Sequence, residues 1–207
     1  MFITFEGGEG SGKTTIIESL YQDLLKMGYK VLKTREPGGS RISEAIRKII
    51  LNVRNSEMDA WTEALLYAAS RRQHLIEVIK PALEAGKVVL CDRYLDSSLA
   101  YQGVGRGLGI DEVLKINQYA TEGILPDLTF YIDLKPEIGL SRIKRSERIP
   151  DRLDLEKEAF HDTVREGYLK LAGLFPERIK VIDGNRSVEE IAADIMAFII
   201  KDLRRMR

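Results

Sequence analysis

The 207 residues suit one globular domain, and the 44% hydrophobic content can fill a sizeable core, which excludes a disordered chain. Lys and Arg number 32, as do Asp and Glu, so the formal net charge is zero, whereas a chain gripping nucleic acid through phosphates would carry a basic excess. The single cysteine, Cys91, excludes an internal disulfide framework, and the sequence shows neither a targeting leader nor a membrane-spanning apolar run, so a cytoplasmic protein is expected.

FITFE (2–6) is a β-rich run that ends in glycines. KTTIIESLYQDLLKM (13–27) sets Ile16, Ile17, Leu20, Leu24 and Met27 at helical spacing, and Gly28 ends it. VLKT (31–34) is a second strand, and SRISEAIRKIIL (40–51) a helix opened by Ser40. A long helical region follows over about 59–83, where Pro81 is expected to introduce a kink. KVVLC (87–91) is a third strand, with helices expected over 94–102 and 111–122. LTFYIDL (128–134) is a fourth strand, a helix starts near Pro136, IKVID (179–183) is a fifth strand, and a last helix covers about 187–204. Short apolar strands alternating with helices predict an α/β fold, a parallel sheet wrapped by helices in one domain over 1–207. The one compositional break, RIKRSERIPDR (142–152), holds five basic residues, two acids and a proline.

GGEGSGKTT (7–15) completes the pattern G-x-x-x-x-G-K-[ST] through Gly7 and Gly12-Lys13-Thr14, between a strand and a helix, which is the context this phosphate cradle requires. Glycines let backbone N–H groups turn onto phosphate oxygens, and the helix N-terminus adds partial positive charge. Gly7, Gly8, Glu9, Gly10, Ser11, Gly12, Lys13, Thr14 and Thr15 are the candidate ATP cradle, with Lys13 reaching the β- and γ-phosphates. The Thr14 hydroxyl and Asp92, at the end of an apolar strand, are the candidate Mg²⁺ ligands. The cradle holds an acid, Glu9, and only one basic residue, so further positive charge must come from elsewhere.

Arg35 follows the second strand and Arg93 the third, while Glu9 follows the first. Ligands of parallel α/β sheets sit beyond the carboxyl ends of the strands, so these three side chains converge beside the cradle. Two arginines there point to a second phosphate, distinct from those of ATP, and hence to phosphoryl transfer onto a phosphorylated acceptor. A phosphate monoester is mostly dianionic at pH 7 and needs no general base, so His74 and His161 are read as structural. A guanine-reading N-K-x-D and a D-x-x-G are both absent, which argues against a nucleotide-dependent switch that does not turn over.

FEGGEGSGKTT, TREPGG, CDRYLDSSLAYQG and LPDLTFYIDL, in this order along the chain, resemble thymidylate kinase. The resemblance implies a five-stranded P-loop sheet in the order 2-3-1-4-5, with ATP and Mg²⁺, thymidine monophosphate as acceptor, and a homodimer; another nucleoside monophosphate kinase is the alternative. It further implies that Glu9 meets the sugar 3′-hydroxyl and that Arg35 and Arg93 hold the acceptor phosphate. Tyr67, where the family commonly has phenylalanine, would stack on thymine, Arg71 would donate to its O4, and Ser98 would meet its N3 edge. Tyr101 would crowd the 2′ carbon, and Gln102 is a candidate base-edge contact. The branch of the family without a P-loop arginine carries arginines in a mobile lid, here about 142–155, with Arg142, Arg145, Arg148 and Arg152 as candidates and none singled out. The loop DGNRSVEE, with Asn185, would cup the adenine.

Overall fold

The computed structural model describes residues 1–145 and 149–205. Five parallel strands form one sheet: β1 (Phe2–Glu6), β2 (Val31–Arg35), β3 (Val88–Asp92), β4 (Leu128–Asp133) and β5 (Ile179–Asp183), in the order β2-β3-β1-β4-β5. This is the order that the resemblance implies. Phe5 of β1 sits opposite Asp92 of β3, and Glu6 opposite Tyr131 of β4. Every strand ends on a charged residue, Glu6, Arg35, Asp92, Asp133 or Asp183, at the carboxyl edge where the site lies.

The helices are α1 (Lys13–Lys26), α2 (Arg41–Ile50), α3 (Ala60–His74), α4 (Lys80–Glu84), α5 (Leu95–Ser98), α6 (Ile110–Thr121), α7 (Pro136–Arg145), α8 (Glu158–Leu174) and α9 (Val188–Arg205). Strand side chains alternate between two faces. One face packs Ile3, Phe5, Leu90, Phe130 and Ile132 against Ile16, Leu20 and Leu24 of α1 and Ile191, Ile195 and Ile199 of α9, an apolar layer throughout. The opposite face carries Val89, Cys91 and Tyr131 against Leu75, Leu99, Tyr168 and Leu171. Buried polar groups are threaded through that second layer: Thr4 and Thr129 share a 2.7 Å hydrogen bond, and Arg178 binds Asp96.

Three expectations change in detail. The helical region over 59–83 is not one α-helix: α3 passes into a π-helical segment, Leu75–Ile79, and then into α4. Pro81 has no N–H to donate, and the wider turn just before it absorbs the break, with Lys80 N–H donating to Leu75 O. The expected helix over 94–102 is four residues of α5 continued by a π-helical segment, Leu99–Gly105. Helix α8 has no counterpart in the sequence reading, although Phe160, Val164, Tyr168 and Leu171 repeat at helical spacing. A Cβ on its Gly167 would lie 3.1 Å from Val104 Cβ and 3.3 Å from Ala100 Cα, so the glycine lets α8 approach the π-helical segment closely.

Candidate functional site

A cavity of about 480 Å³ opens at the carboxyl edge of the sheet. Its donor end is the turn from β1 into α1. Gly12 caps α1 at φ 90°, a left-handed conformation that favours glycine. Lys13 is folded back onto the turn, its Nζ donating to Gly7 O at 3.0 Å, Gly8 O at 2.9 Å and Ser11 Oγ at 3.1 Å. Burial, and then the charge of Arg93, pull the Lys13 pKa down to about 8. Thr14 Oγ1 donates to Asp92 Oδ2 at 3.1 Å. Glu9, Gly10, Ser11, Gly12, Lys13, Thr14 and Thr15 line the cavity, whereas Gly7 and Gly8 do not. The turn is backed by α7: a Cβ on Gly139 would overlap the Glu9 carbonyl oxygen, and one on Gly10 the Gly139 carbonyl oxygen.

The acceptor end is built from side chains. Arg93 has φ 69°, rare for a side chain of its size, and points its guanidinium into the cavity wall. Its Nη2 donates to Glu9 Oε1 at 2.6 Å and to Tyr101 OH at 3.2 Å, while Tyr101 OH donates to Glu9 Oε1 at 2.9 Å. Burial works against the Arg93 charge, but Glu9 and the neighbouring acids hold it firmly protonated. Arg35 also lines the cavity; its guanidinium bonds Pro37 O and pairs with Glu44 at 3.0 Å. The π-helical turn, closed by Arg106 N–H donating to Tyr101 O at 2.8 Å, presents Tyr101 and Gln102 to the cavity.

Beneath Arg93 lies Glu6, fully buried. Its Oε1 accepts from Tyr94 N–H at 2.8 Å, and its Oε2 accepts from Ser97 Oγ at 2.5 Å and Tyr168 OH at 3.0 Å. Burial, and then the charge of Asp96, push its pKa up to about 7.

Tyr67 lines the cavity with its ring largely buried, and burial together with Glu63 keeps its hydroxyl neutral. Arg71 and Ser98 lie behind the cavity wall rather than in it. Arg71 is 1% exposed: its Nε binds Glu36, its Nη1 binds Ser98 and Asn117, and its Nη2 binds Tyr94 O. Gln102 Nε2 is engaged by Glu63 Oε1 at 2.9 Å.

The four lid arginines part company. Arg142, on the last turn of α7, lines the cavity and donates to Gly10 O at 3.3 Å. Arg145 is exposed at the end of α7 and is not in the cavity wall, and Arg148 lies outside the described residues. Arg152 departs from the expectation that it closes over ATP. It is buried, with Nε on Ile50 O at 2.8 Å and Nη2 on Glu63 Oε2 at 2.5 Å, so it ties its own segment to α3. Burial works against the Glu63 charge, but hydrogen bonds from Arg106, Gln102 and Arg152 hold its pKa below the usual range. Asn185 sits in the turn after β5, its N–H on Asp183 Oδ1 at 2.9 Å, and is not in the cavity wall.

His74 is buried between Thr34 Oγ1 at 2.7 Å and Glu36 Oε1 at 3.0 Å, a structural placement. The sequence reading missed the cavity residues Glu36, Pro37, Arg47, Ser97, Ile143, Asp151 and Leu153. Arg47 carried a signal: it stands three residues after Glu44 on α2, and it donates to Pro37 O at 2.8 Å.

A P-loop at one end of a cavity, with a separate guanidinium and carboxylate cluster at the other, defines a P-loop kinase acting on a phosphorylated small molecule. The thymidylate kinase family model matches residues 5–195. The chain is 58% identical over 203 residues to thymidylate kinase of Geobacillus thermodenitrificans (strain NG80-2), covering 98% of this chain and 90% of that protein. It is also 58% identical over 204 residues to thymidylate kinase of Acholeplasma laidlawii (strain PG-8A), covering 98% and 100%. The crystal structure of thymidylate kinase from Ehrlichia chaffeensis superimposes with a TM-score of 0.80 at 31% identity, over 96% of this chain and 98% of that one. The chain belongs to the thymidylate kinase family.

Proposed function

We infer that the chain performs the reaction its family is named for. It transfers the γ-phosphoryl group of ATP to thymidine 5′-monophosphate and releases ADP and thymidine diphosphate. The observation that carries this reading is that Lys13 and Arg93, two cationic centres, line one and the same cavity. Each suits a different phosphate.

The P-loop N–H groups and Lys13 bind the donor, and Lys13 exchanges its bonds to Gly7 O and Gly8 O for phosphate oxygens. Arg93 and Arg35 hold the acceptor phosphate, and Arg142 reaches over the donor side. The attacking oxygen is already anionic at pH 7, so catalysis consists of alignment, charge neutralisation and exclusion of water. Glu9 fixes Arg93 and takes the sugar 3′-hydroxyl, since a carboxylate offers about four lone-pair sites. Tyr101 stands against the 2′ carbon. Tyr67 forms the base wall, and Arg71 and Ser98 brace it from behind. Thr14 Oγ1 and Asp92 Oδ2, two hard oxygen donors 3.1 Å apart at the donor end, fit Mg²⁺, which takes few protein ligands. When bound, the ion neutralises charge on the donor phosphates.

The whole chain acts as one domain with a lid near 142–155. No helix among the described residues is long and apolar enough to cross a membrane. We assign it to the cytoplasm. Trp61 and Leu65 on α3 and Tyr119 on α6 are exposed by 40%, 54% and 87%, and these apolar side chains support a homodimer.

The test is ADP release with ATP and a panel of nucleoside monophosphates. The highest kcat/KM is expected with thymidine monophosphate. A higher value with another base assigns the chain to that acceptor, and no turnover with any of them overturns the reading.

A further inference from the structure

The reaction just described makes no use of Glu6, although it is a fully buried carboxylate one residue before the P-loop. Its hydrogen bonds lead to one destination. Arg93 Nη1 donates to Ser97 Oγ and to Tyr168 OH, each at 3.2 Å. Both hydroxyl oxygens lie within hydrogen-bond reach of Glu6 Oε2, at 2.5 and 3.0 Å. The other carboxylate oxygen takes the N–H of Tyr94, the residue after Arg93. Arg93 itself has positive φ, a conformation that persists only where the surroundings hold it. Its own N–H is held by Phe5 O at 2.9 Å. Glu6 therefore secures both the turn that aims Arg93 and the two hydroxyls that orient its guanidinium.

We propose that Glu6 is a positioning residue for the acceptor phosphate, acting through Ser97, Tyr168 and the backbone of Tyr94 to aim Arg93. The inference rests on the reading of Arg93 as the acceptor-phosphate ligand.

The direction of each bond makes it specific. A hydroxyl that accepts from Arg93 must send its proton elsewhere; Ser97 Oγ and Tyr168 OH lie 2.9 Å apart, so one can donate to the other, and the remaining proton of the pair goes to Glu6 Oε2 below them. In Glu6→Gln, turning the amide oxygen to Tyr94 N–H sets NH₂ against both hydroxyls. The flipped amide sets NH₂ against the Tyr94 N–H instead. Either way an acceptor that the carboxylate supplied is lost, under the hydroxyl pair or under the Tyr94 N–H, although size and shape are kept. The double variant Ser97→Ala/Tyr168→Phe removes the relay and leaves Glu6 in place.

The experiment is calorimetric titration at about pH 8.5, above the Glu6 pKa of about 7 so that the wild-type carboxylate is ionised, of thymidine monophosphate and of thymidine, which lacks the phosphate, into wild type, Glu6→Gln, the double variant and Arg93→Ala. Glu6→Gln and the double variant are expected to bind the monophosphate about tenfold more weakly, part of one charge-assisted contact, and thymidine within about twofold of wild type. A purely structural role would weaken both ligands by the same factor. That result, or wild-type affinity for the monophosphate, overturns the proposal. If Glu6→Gln fails to fold, the double variant decides on the same criteria. Arg93→Ala separates the two readings. Equal loss of both ligands there removes Arg93 from the phosphate, and the inference falls with it. A selective loss in Arg93→Ala that neither other variant reproduces overturns the role of Glu6 alone.

Discussion

The two ends of the cavity are made of different material. The donor end is backbone: consecutive residues between β1 and α1, shaped by glycines and braced by Gly139 of α7. The acceptor end is side chain: Glu9, Arg35, Tyr67, and Arg93 with Tyr101 come from four separate stretches. Under the acceptor end lies a buried polar layer, while the sheet face packed by α1 and α9 is apolar. Backbone N–H groups recognise any polyphosphate, so a generic donor suits them. Discrimination among acceptors needs placed side chains, and these need buried supports.

The largest expected effect falls on the acceptor end. Arg93→Ala should lower kcat/KM for thymidine monophosphate by about a hundredfold or more, because it loses a charge-assisted contact of roughly 1.5–3 kcal/mol together with alignment. Steady-state kinetics with each substrate varied checks it. A loss confined to the KM for ATP would erase the distinction between the ends.

Next in size is the support of the acceptor pocket by Arg152, paired with buried Glu63. Breaking a buried ion pair costs roughly 3–5 kcal/mol. Glu63 keeps Arg106 and Gln102 as partners, so Arg152→Ala should sit at the lower end, about 3 kcal/mol, read by denaturant unfolding. A cost below about 1 kcal/mol would mean that Arg152 behaves as a solvated surface cation and not as a buried tie.

A smaller effect separates the roles within one turn. Glu9→Ala should lower kcat/KM for thymidine monophosphate about tenfold more than for its 3′-deoxy analogue, with the Kd for ATP nearly unchanged. Equal loss for both acceptors, with weakened ATP binding, would place Glu9 with the donor.

These three cases also divide what the sequence could and could not reveal. The P-loop was legible because its work is done by contiguous backbone, so spacing alone specifies it. The strands were legible because each is a short apolar run, although β3 and β2 each run one residue further, to Asp92 and Arg35. The side chains at the acceptor end were legible through resemblance, but their supports were not. The resemblance names Arg71 as a base contact, and only the fold shows Glu36, Asn117 and Tyr94 gathered around its guanidinium. Arg152 reads as one more basic lid residue until Glu63, 89 positions away, is placed against it. Helix α8 carried a visible period, but it begins just after a charged, loop-like stretch and holds Gly167 and Gly173, which weaken the local helical signal.

The buried layer is read through stability and not through turnover. Glu6 has its pKa raised from 4.5 to about 7, so the folded state binds this proton more tightly than the unfolded chain. Its contribution is fully present below pH 4.5 and is lost as pH rises to about 7. Glu6→Gln carries no such charge, so its melting temperature relative to wild type should climb across that window by about 5–15 °C and level off above it. A flat difference between the two across the same pH range would mean that Glu6 carries no raised pKa.

The division between the ends is tested most directly by a crossed binding measurement. Equilibrium Kd values for ATP and for thymidine monophosphate are determined separately in Lys13→Met and Arg93→Ala. The account predicts that Lys13→Met weakens ATP by about tenfold or more and leaves the monophosphate within about twofold, and that Arg93→Ala does the reverse. Both variants weakening the same ligand, or each weakening both ligands alike, would contradict a cavity divided between two phosphates.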